Sequence, residues 1–315
     1  MKKDSNAIPA RTETLPHPDA RQAQRAGYRG LCWGMLGIAI FSLSVPATRA
    51  AVQELDATFV GLGRAVIAGL LAALLQLLRR QPWPTWAQWR RLAIVAAGVV
   101  IGFPLLSALA LRQLRSADAA VIIGVLPAAT AIAAVLRAGE RPPPRFWFAA
   151  GAGLTAVLLF AAVQGAGAPQ GAHLFALLAV TLAALGYAEG GALARTLGSW
   201  QVICWALVLT LPLLLPITLY RACTAGLLAH APAWLAFGYL SVFSMFLGFF
   251  AWYRGLALGG VATVSQIQLA QPILTLAWSS ALLKEHVTTT VLIAAGAVLA
   301  CVIATQRFTR RDCRD

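Results

Sequence analysis

The stretch Gln271-Pro272-Ile273-Leu274-Thr275, followed by Glu285 and then by Ala294-Ala295-Gly296-Ala297 ahead of Leu299, restates an earlier one. The earlier copy reads Leu126-Pro127-Ala128-Ala129-Thr130, then Glu140, then Ala149-Ala150-Gly151-Ala152 ahead of Leu154. The offset is 145 residues throughout, without a gap. In an alanine-rich chain the alanine matches carry little weight, but the interval of thirteen residues from proline to glutamate is kept in both copies. Upstream, Gly102-Phe103 and Leu109-Ala110-Leu111 find counterparts in Gly248-Phe249 and Leu256-Ala257-Leu258 after small shifts, and Arg49 corresponds to Arg195. The chain is therefore read as two copies of one unit.

Outward from the repeat, the sequence divides into apolar blocks at residues 30–50, 58–78, 92–111, 118–137, 147–165, 172–193, 201–220, 233–253, 261–283 and 288–306. Each is about 20 residues long, the length a helix needs to cross about 30 Å of hydrocarbon. Of the 315 residues 59% are hydrophobic and only 11% charged, with a mean hydropathy of +0.74. A soluble domain carries about 25% charged residues, and its surface would need them. These numbers predict an all-α integral membrane protein of ten transmembrane helices, five in each repeat.

The net charge of +14 is not a nucleic-acid signal, because the arginines flank apolar blocks instead of forming one polar face. With the N-terminus placed inside, nineteen Lys and Arg fall in inside segments, while Arg112, Arg115, Arg221 and Lys284 fall outside. That asymmetry predicts an N-in, C-in topology. Residues 1–28 are polar and hold Pro9, Pro16 and Pro18, so they read as a disordered cytoplasmic tail and not as a signal peptide. Residues 29–165 and 172–306 form the two repeats, and 307–315 a basic tail. Five helices per repeat set the second copy upside down in the membrane. This is the construction of alternating-access carriers, whose site lies between the halves at the midplane.

The fourth helix of each half thus carries Leu-Pro or Gln-Pro and ends on a glutamate. Together with the two-fold five-helix repeat, this resembles the EamA-type transporters of the drug/metabolite transporter superfamily, over about residues 29–306. The strings Ser44-Val45-Pro46-Ala47-Thr48-Arg49, Gly61-Leu62-Gly63-Arg64-Ala65, Gly186-Tyr187-Ala188-Glu189-Gly190 and Gly248-Phe249-Phe250-Ala251-Trp252-Tyr253-Arg254 are similar to one bacterial branch of it. The resemblance implies a polar central cavity and transport of a small amphiphilic metabolite, driven by an ion gradient or by exchange. It implies location in a bacterial inner membrane, with a small-molecule substrate, the lipid bilayer and protons as partners. No cofactor is expected. An uncoupled facilitator and a non-transporting scaffold or sensor are the rival readings.

Candidate site residues follow from polarity inside apolar blocks. Arg64 lies about 10 Å into the second helix. A buried guanidinium there holds a substrate anion, pairs with Glu54 or Asp56, or snorkels outward. Glu189, the acidic residue well inside the sixth block, is a proton carrier or a structural group near the inner end. Arg49 shares a face with Ser42 and Pro46 as interface anchor or ligand, and Pro46 breaks the first helix and frees carbonyls. In the ninth helix Gln266 and a stripe of Gln268, Gln271 and Thr275 face the bundle interior, lining a cavity or bonding between helices. Trp252 and Tyr253 form an interfacial aromatic belt beside Arg254, or stack on substrate with Trp33, Tyr187 and Phe249. Pro127 and Pro272 mark helix breaks. Glu140 and Glu285 cap the start of the helix that follows each of them. The glycine pairs Gly98/Gly102 and Gly186/Gly190 permit close helix approach. The four histidines and five cysteines show no metal-ligand spacing, and no nucleophile–base pair or phosphate loop points to an enzyme.

Overall fold

A computed structural model describes residues 20–138, 148, 151–152, 155, 171–293, 295–297 and 300. Among them seven helices are long and apolar enough to cross a membrane: Gly27–Val52, Ala57–Arg79, Trp86–Gln113, Asp118–Arg137, Gly171–Leu197, Ser199–Ala225 and Ala231–Gly259. The ninth expected block forms a broken helix over Val261–Leu283. Most of the fifth block and about half of the tenth lie outside the described residues.

The elements are α1 (Ala20–Val52), α2 (Ala57–Arg79), α3 (Trp86–Val95), a π-helical segment (Ala96–Gly102), α4 (Phe103–Gln113), α5 (Ser116–Ile123) and α6 (Leu126–Ala138). The second half continues with α7 (Gly171–Leu197), α8 (Ser199–Ala225), α9 (Ala231–Tyr239), a second π segment (Leu240–Leu247) and α10 (Gly248–Gly259). It closes on α11 (Val261–Val264), a 3₁₀ segment (Ser265–Leu269) and α12 (Ala270–Leu283). Local chemistry sets the boundaries. Asp56 caps α2 by accepting from the Phe59 amide at 2.9 Å, and Thr85 with Gln88 builds a capping box at the start of α3. Between α7 and α8 the chain turns on Gly198, whose φ of 103° favours a residue without Cβ.

The first helix starts at Ala20, inside the segment expected to be a disordered tail through residue 28. Ala20-Arg21-Gln22-Ala23-Gln24-Arg25-Ala26 consists of strong helix formers, so the helix extends beyond its apolar part. Nor does Pro46 interrupt α1, which continues to Val52. The proline does remove the N–H that would bond the Ser42 carbonyl four residues back, and Thr275 Oγ1 on α12 donates to that carbonyl at 2.9 Å instead.

The repeat is visible as matched irregularities. The third and eighth spans carry π segments at Ala96–Gly102 and Leu240–Leu247, and the fourth and ninth spans are broken just ahead of Pro127 and Pro272. Irregular backbone inside a span is tolerated where protein or a cavity meets it. The halves interdigitate: α1 packs along α10 and α12, α2 along α8, and α6 along α7. Glycines make the tightest contacts. A Cβ on Gly98 would stand 2.5 Å from the Leu182 carbonyl oxygen and 3.1 Å from the Gly186 Cα, so one glycine of each expected pair meets the other.

Candidate functional site

Between α1, α2, α7, the second π segment and the start of α12 lies a cavity. It is narrow: the centre of a water molecule has only about 20 Å³ to occupy. Its polar lining comes from Ser44, Arg64, Tyr187, Ser244 and Gln271, and Phe41, Phe249 and Met245 supply apolar wall. Ser44 Oγ donates to Ser244 Oγ at 2.7 Å, tying α1 to the second π segment across the cavity.

Arg64 is 2% exposed. Neither Glu54 nor Asp56 pairs with it, and it does not snorkel to an end of the bundle. Asp56 accepts instead from Arg221 Nε at 3.1 Å and Nη2 at 2.5 Å, and Glu54 accepts from the His230 amide at 2.6 Å. Both carboxylates stand beyond the end of α2 with their own partners, while Arg64 sits two turns inside, out of reach. Among the described residues its Nε and Nη2 have no hydrogen-bond partner. An ionised group left so in an apolar span is costly, by at least about 2.5–3.5 kcal/mol on insertion scales.

Trp252 and Tyr253 are fully buried, which removes the interfacial-belt reading. They continue a packed aromatic cluster behind the cavity wall. Ring centroids lie 5.4 Å apart for Tyr187–Trp252, 5.5 Å for Phe249–Tyr253 and 5.0 Å for Phe41–Phe249. Tyr253 fits because Gly190 faces it: a Cβ there would approach the ring to 2.5 Å. Tyr187 and Phe249 reach the cavity; Trp33 instead lies outside it, under Arg254 at 5.1 Å in a cation–π contact.

The expected stripe along the ninth span is dispersed. Its residues are not on one continuous α-helix, because Ser265–Leu269 is 3₁₀, with three residues per turn and a different rotation per residue. Gln271 lines the cavity, Thr275 serves the carbonyl freed by Pro46, and Gln268 is buried with both amide atoms unpaired among the described residues. The Gln266 side chain and Glu140 lie outside the described residues. Ser42 faces α12 and not the cavity, receiving Trp278 Nε1 on its hydroxyl at 3.2 Å.

Glu189 sits two turns inside α7, deeper than its sequence position suggested, and is not isolated. One carboxylate oxygen accepts from Arg91 Nε and the other from Arg137, whose Nη2 is 2.8 Å away. The isolation that a desolvated proton carrier requires is absent. The three residues tie α7 of the second half to α3 and α6 of the first, at the arginine-rich end of the bundle. At the opposite end Arg49 donates through Nη1 to the carbonyls of Leu111 at 2.6 Å and Arg112 at 3.0 Å. It thereby caps the C-terminus of α4. Glu285 accepts from the Ser116 amide at 3.1 Å and hydroxyl at 2.9 Å. It caps the start of α5 in the other half.

Sequence reasoning missed Ser44, Ser244, Phe41, Arg91 and Arg137. The two arginines had been counted only as topology charges. A buried carboxylate needs cations, which was the available signal, but their identity depends on which helices touch.

Two interlocked halves around a buried polar cavity, with paired broken spans, define a multi-pass membrane transporter. The chain belongs to the EamA-like transporter family, whose profile matches residues 28–162 and 170–305, one match per repeat. It is 48% identical over 277 residues to the uncharacterized transporter YdeK of Bacillus subtilis (strain 168), covering 88% of this chain and 96% of that protein. A protein of known crystal structure superposes with a TM-score of 0.64 at 16% identity, over 88% of this chain and 98% of its own, and so shares the fold. Family membership makes this chain a transporter and not an enzyme.

Proposed function

We propose that the protein is a secondary carrier of the bacterial inner membrane that exports a small amphiphilic metabolite by alternating access. The observation that carries this reading is Arg64. A guanidinium buried at a cavity between two repeat halves, with two N–H donors unpaired, supports a site for a substrate anion. The discontinuous spans at Pro127 and Pro272 support the same mechanism, because such breaks let paired elements rock around a fixed site.

The Glu189–Arg91–Arg137 cluster acts as a latch at the arginine-rich end, which the charge count places at the cytoplasm. Breaking it opens the cavity on that side. Exchange of substrate is therefore favoured over proton coupling through Glu189, whose two oxygens are already engaged.

The test begins with metabolite profiling of a deletion strain against an overexpressing one. Metabolites that accumulate in the first and are depleted in the second are then offered to proteoliposomes. Flux above protein-free vesicles, accelerated by the same metabolite on the far side and insensitive to a proton ionophore, is expected. Flux no greater than in protein-free vesicles, for every such metabolite, would overturn the carrier reading.

A further inference from the structure

The unpaired edge of Arg64 has two internal standards in the same molecule. Arg115 grips Asp118 through Nε at 2.9 Å and Nη2 at 3.0 Å. Arg221 grips Asp56 through the same two atoms, at 3.1 and 2.5 Å. In both, the parallel N–H bonds of Nε and Nη2 meet the two oxygens of one carboxylate. Arg64 leaves that same pair of atoms unpaired while being 2% exposed. The free element is a complete carboxylate fork, not a stray donor.

The second observation concerns charge. Five carboxylates occur among the described residues, Glu54, Asp56, Asp118, Glu189 and Glu285, and none lines the cavity. Each is bonded elsewhere: to His230, Arg221, Arg115, the Arg91–Arg137 pair and Ser116 respectively. The described wall therefore presents one fixed positive charge and no fixed negative charge. A substrate ammonium would meet only hydroxyls, an amide and ring faces, and would add a second cation to a site of low dielectric.

The geometry points to a cargo that is a monocarboxylate on a flat apolar body, without a compensating amino group. Arg64 is the residue that fixes this specificity. The inference rests on the carrier reading above and narrows its small amphiphilic metabolite to an organic acid. One guanidinium neutralises one carboxylate; a phosphate monoester carries about 1.5 to 2 negative charges at neutral pH, more than the described wall can compensate. Phe41, Tyr187 and Phe249 supply aromatic surface for the body, and Met245 is a flexible wall that can repack when the narrow cavity widens.

The test uses four probes that share a ring and chain: 3-phenylpropionate, phenylalanine, 2-phenylethylamine and 3-phenylpropionamide. Binding to the full-length protein in lipid nanodiscs is measured by calorimetry, with proteoliposome flux followed in parallel. The carboxylate is expected to bind tightest, phenylalanine at least about tenfold weaker for its unmatched ammonium, and the amine and amide about a hundredfold weaker or more. Arg64→Gln brings the carboxylate down to the level of the amide. Arg64→Lys keeps the charge preference with a weaker affinity, since the fork is lost but the charge remains.

Equal or tighter binding of phenylalanine or the amine overturns the assignment, as does an unchanged carboxylate affinity in R64Q or no binding by any probe. Should R64Q not fold, the ranking on the wild-type protein decides alone. The ranking without any flux defeats only the carrier reading. Flux without the ranking defeats only the monocarboxylate assignment.

Discussion

The bond from Thr275 to Ser42 supplies a prediction in which a proline in one half determines the value of a hydroxyl in the other. Pro46 denies the Ser42 carbonyl its helical partner, and Thr275 Oγ1, 1% exposed, replaces it at 2.9 Å. Thr275→Val keeps the shape of the side chain and removes the donor. Interhelical hydrogen bonds in membrane proteins average only about 0.6 kcal/mol, reaching about 1.7. A carbonyl left buried without any partner costs more, about 1–3 kcal/mol. No other donor to that carbonyl is present among the described hydrogen bonds, so the upper part of the membrane range applies and T275V should cost about 1.5 kcal/mol. In an apparent thermal midpoint this is a fall of about 3–6 °C, at about 2–4 °C per kcal/mol.

The decisive experiment is the double-mutant cycle with Pro46→Ala. Alanine restores an N–H that can close the helical bond to Ser42, so the hydroxyl of Thr275 becomes dispensable. In the P46A background T275V should cost less than half as much, leaving a coupling of about 1 kcal/mol. Unfolding would be followed by scanning fluorimetry at a fixed heating rate and a fixed detergent concentration. Equal destabilisation by T275V in both backgrounds would refute the link between the two residues, and no destabilisation in either would refute the bond itself.

Three further outcomes are expected. Glu189→Gln, which weakens both arms of the latch, should raise the labelling rate of a cysteine placed at Ser44 several-fold, from the arginine-rich side only, in a background freed of native cysteines; an unchanged rate argues against a latch. Gly98→Leu should abolish recovery of folded protein, because even a Cβ would come within 2.5 Å of the Leu182 backbone oxygen. A monodisperse G98L with wild-type thermal stability would contradict the close packing of the first π segment on α7. For Asp56, burial alone would raise the carboxyl's pKa, but donation by Arg221 and by the Phe59 amide outweighs it and holds the pKa below its ordinary value. A lowered folded value adds stability that is fully present above the ordinary carboxylate range and is lost as pH falls from there through the lowered folded value. Asn caps helices as well as Asp, so Asp56→Asn isolates the ion pair. It should cost about 1 kcal/mol at neutral pH and nothing measurable well below pH 4; a pH-independent difference in apparent midpoint would contradict this.

Residue order alone settled what depends on composition and period. Apolar blocks of membrane-spanning length follow from the cost of burying polar backbone in lipid, and the 145-residue offset exposed two copies of one unit. Pro127 and Pro272 marked spans that break, but the same missing N–H at Pro46 does not interrupt α1, where Thr275 of the other half serves the freed carbonyl. Partnership was different in kind. Glu189 meets Arg91 and Arg137, Glu285 meets Ser116, and Arg49 meets the end of α4, each across more than fifty residues of chain. A long cationic or acidic side chain has several oppositely charged or polar groups it could reach, and only helix packing selects among them. The same applies to Arg64, which stood in the sequence as a buried charge with two nearby acids available to it. Tertiary structure gave those acids to Arg221 and His230 and left the guanidinium fork free at a cavity, turning an ambiguous residue into a candidate site.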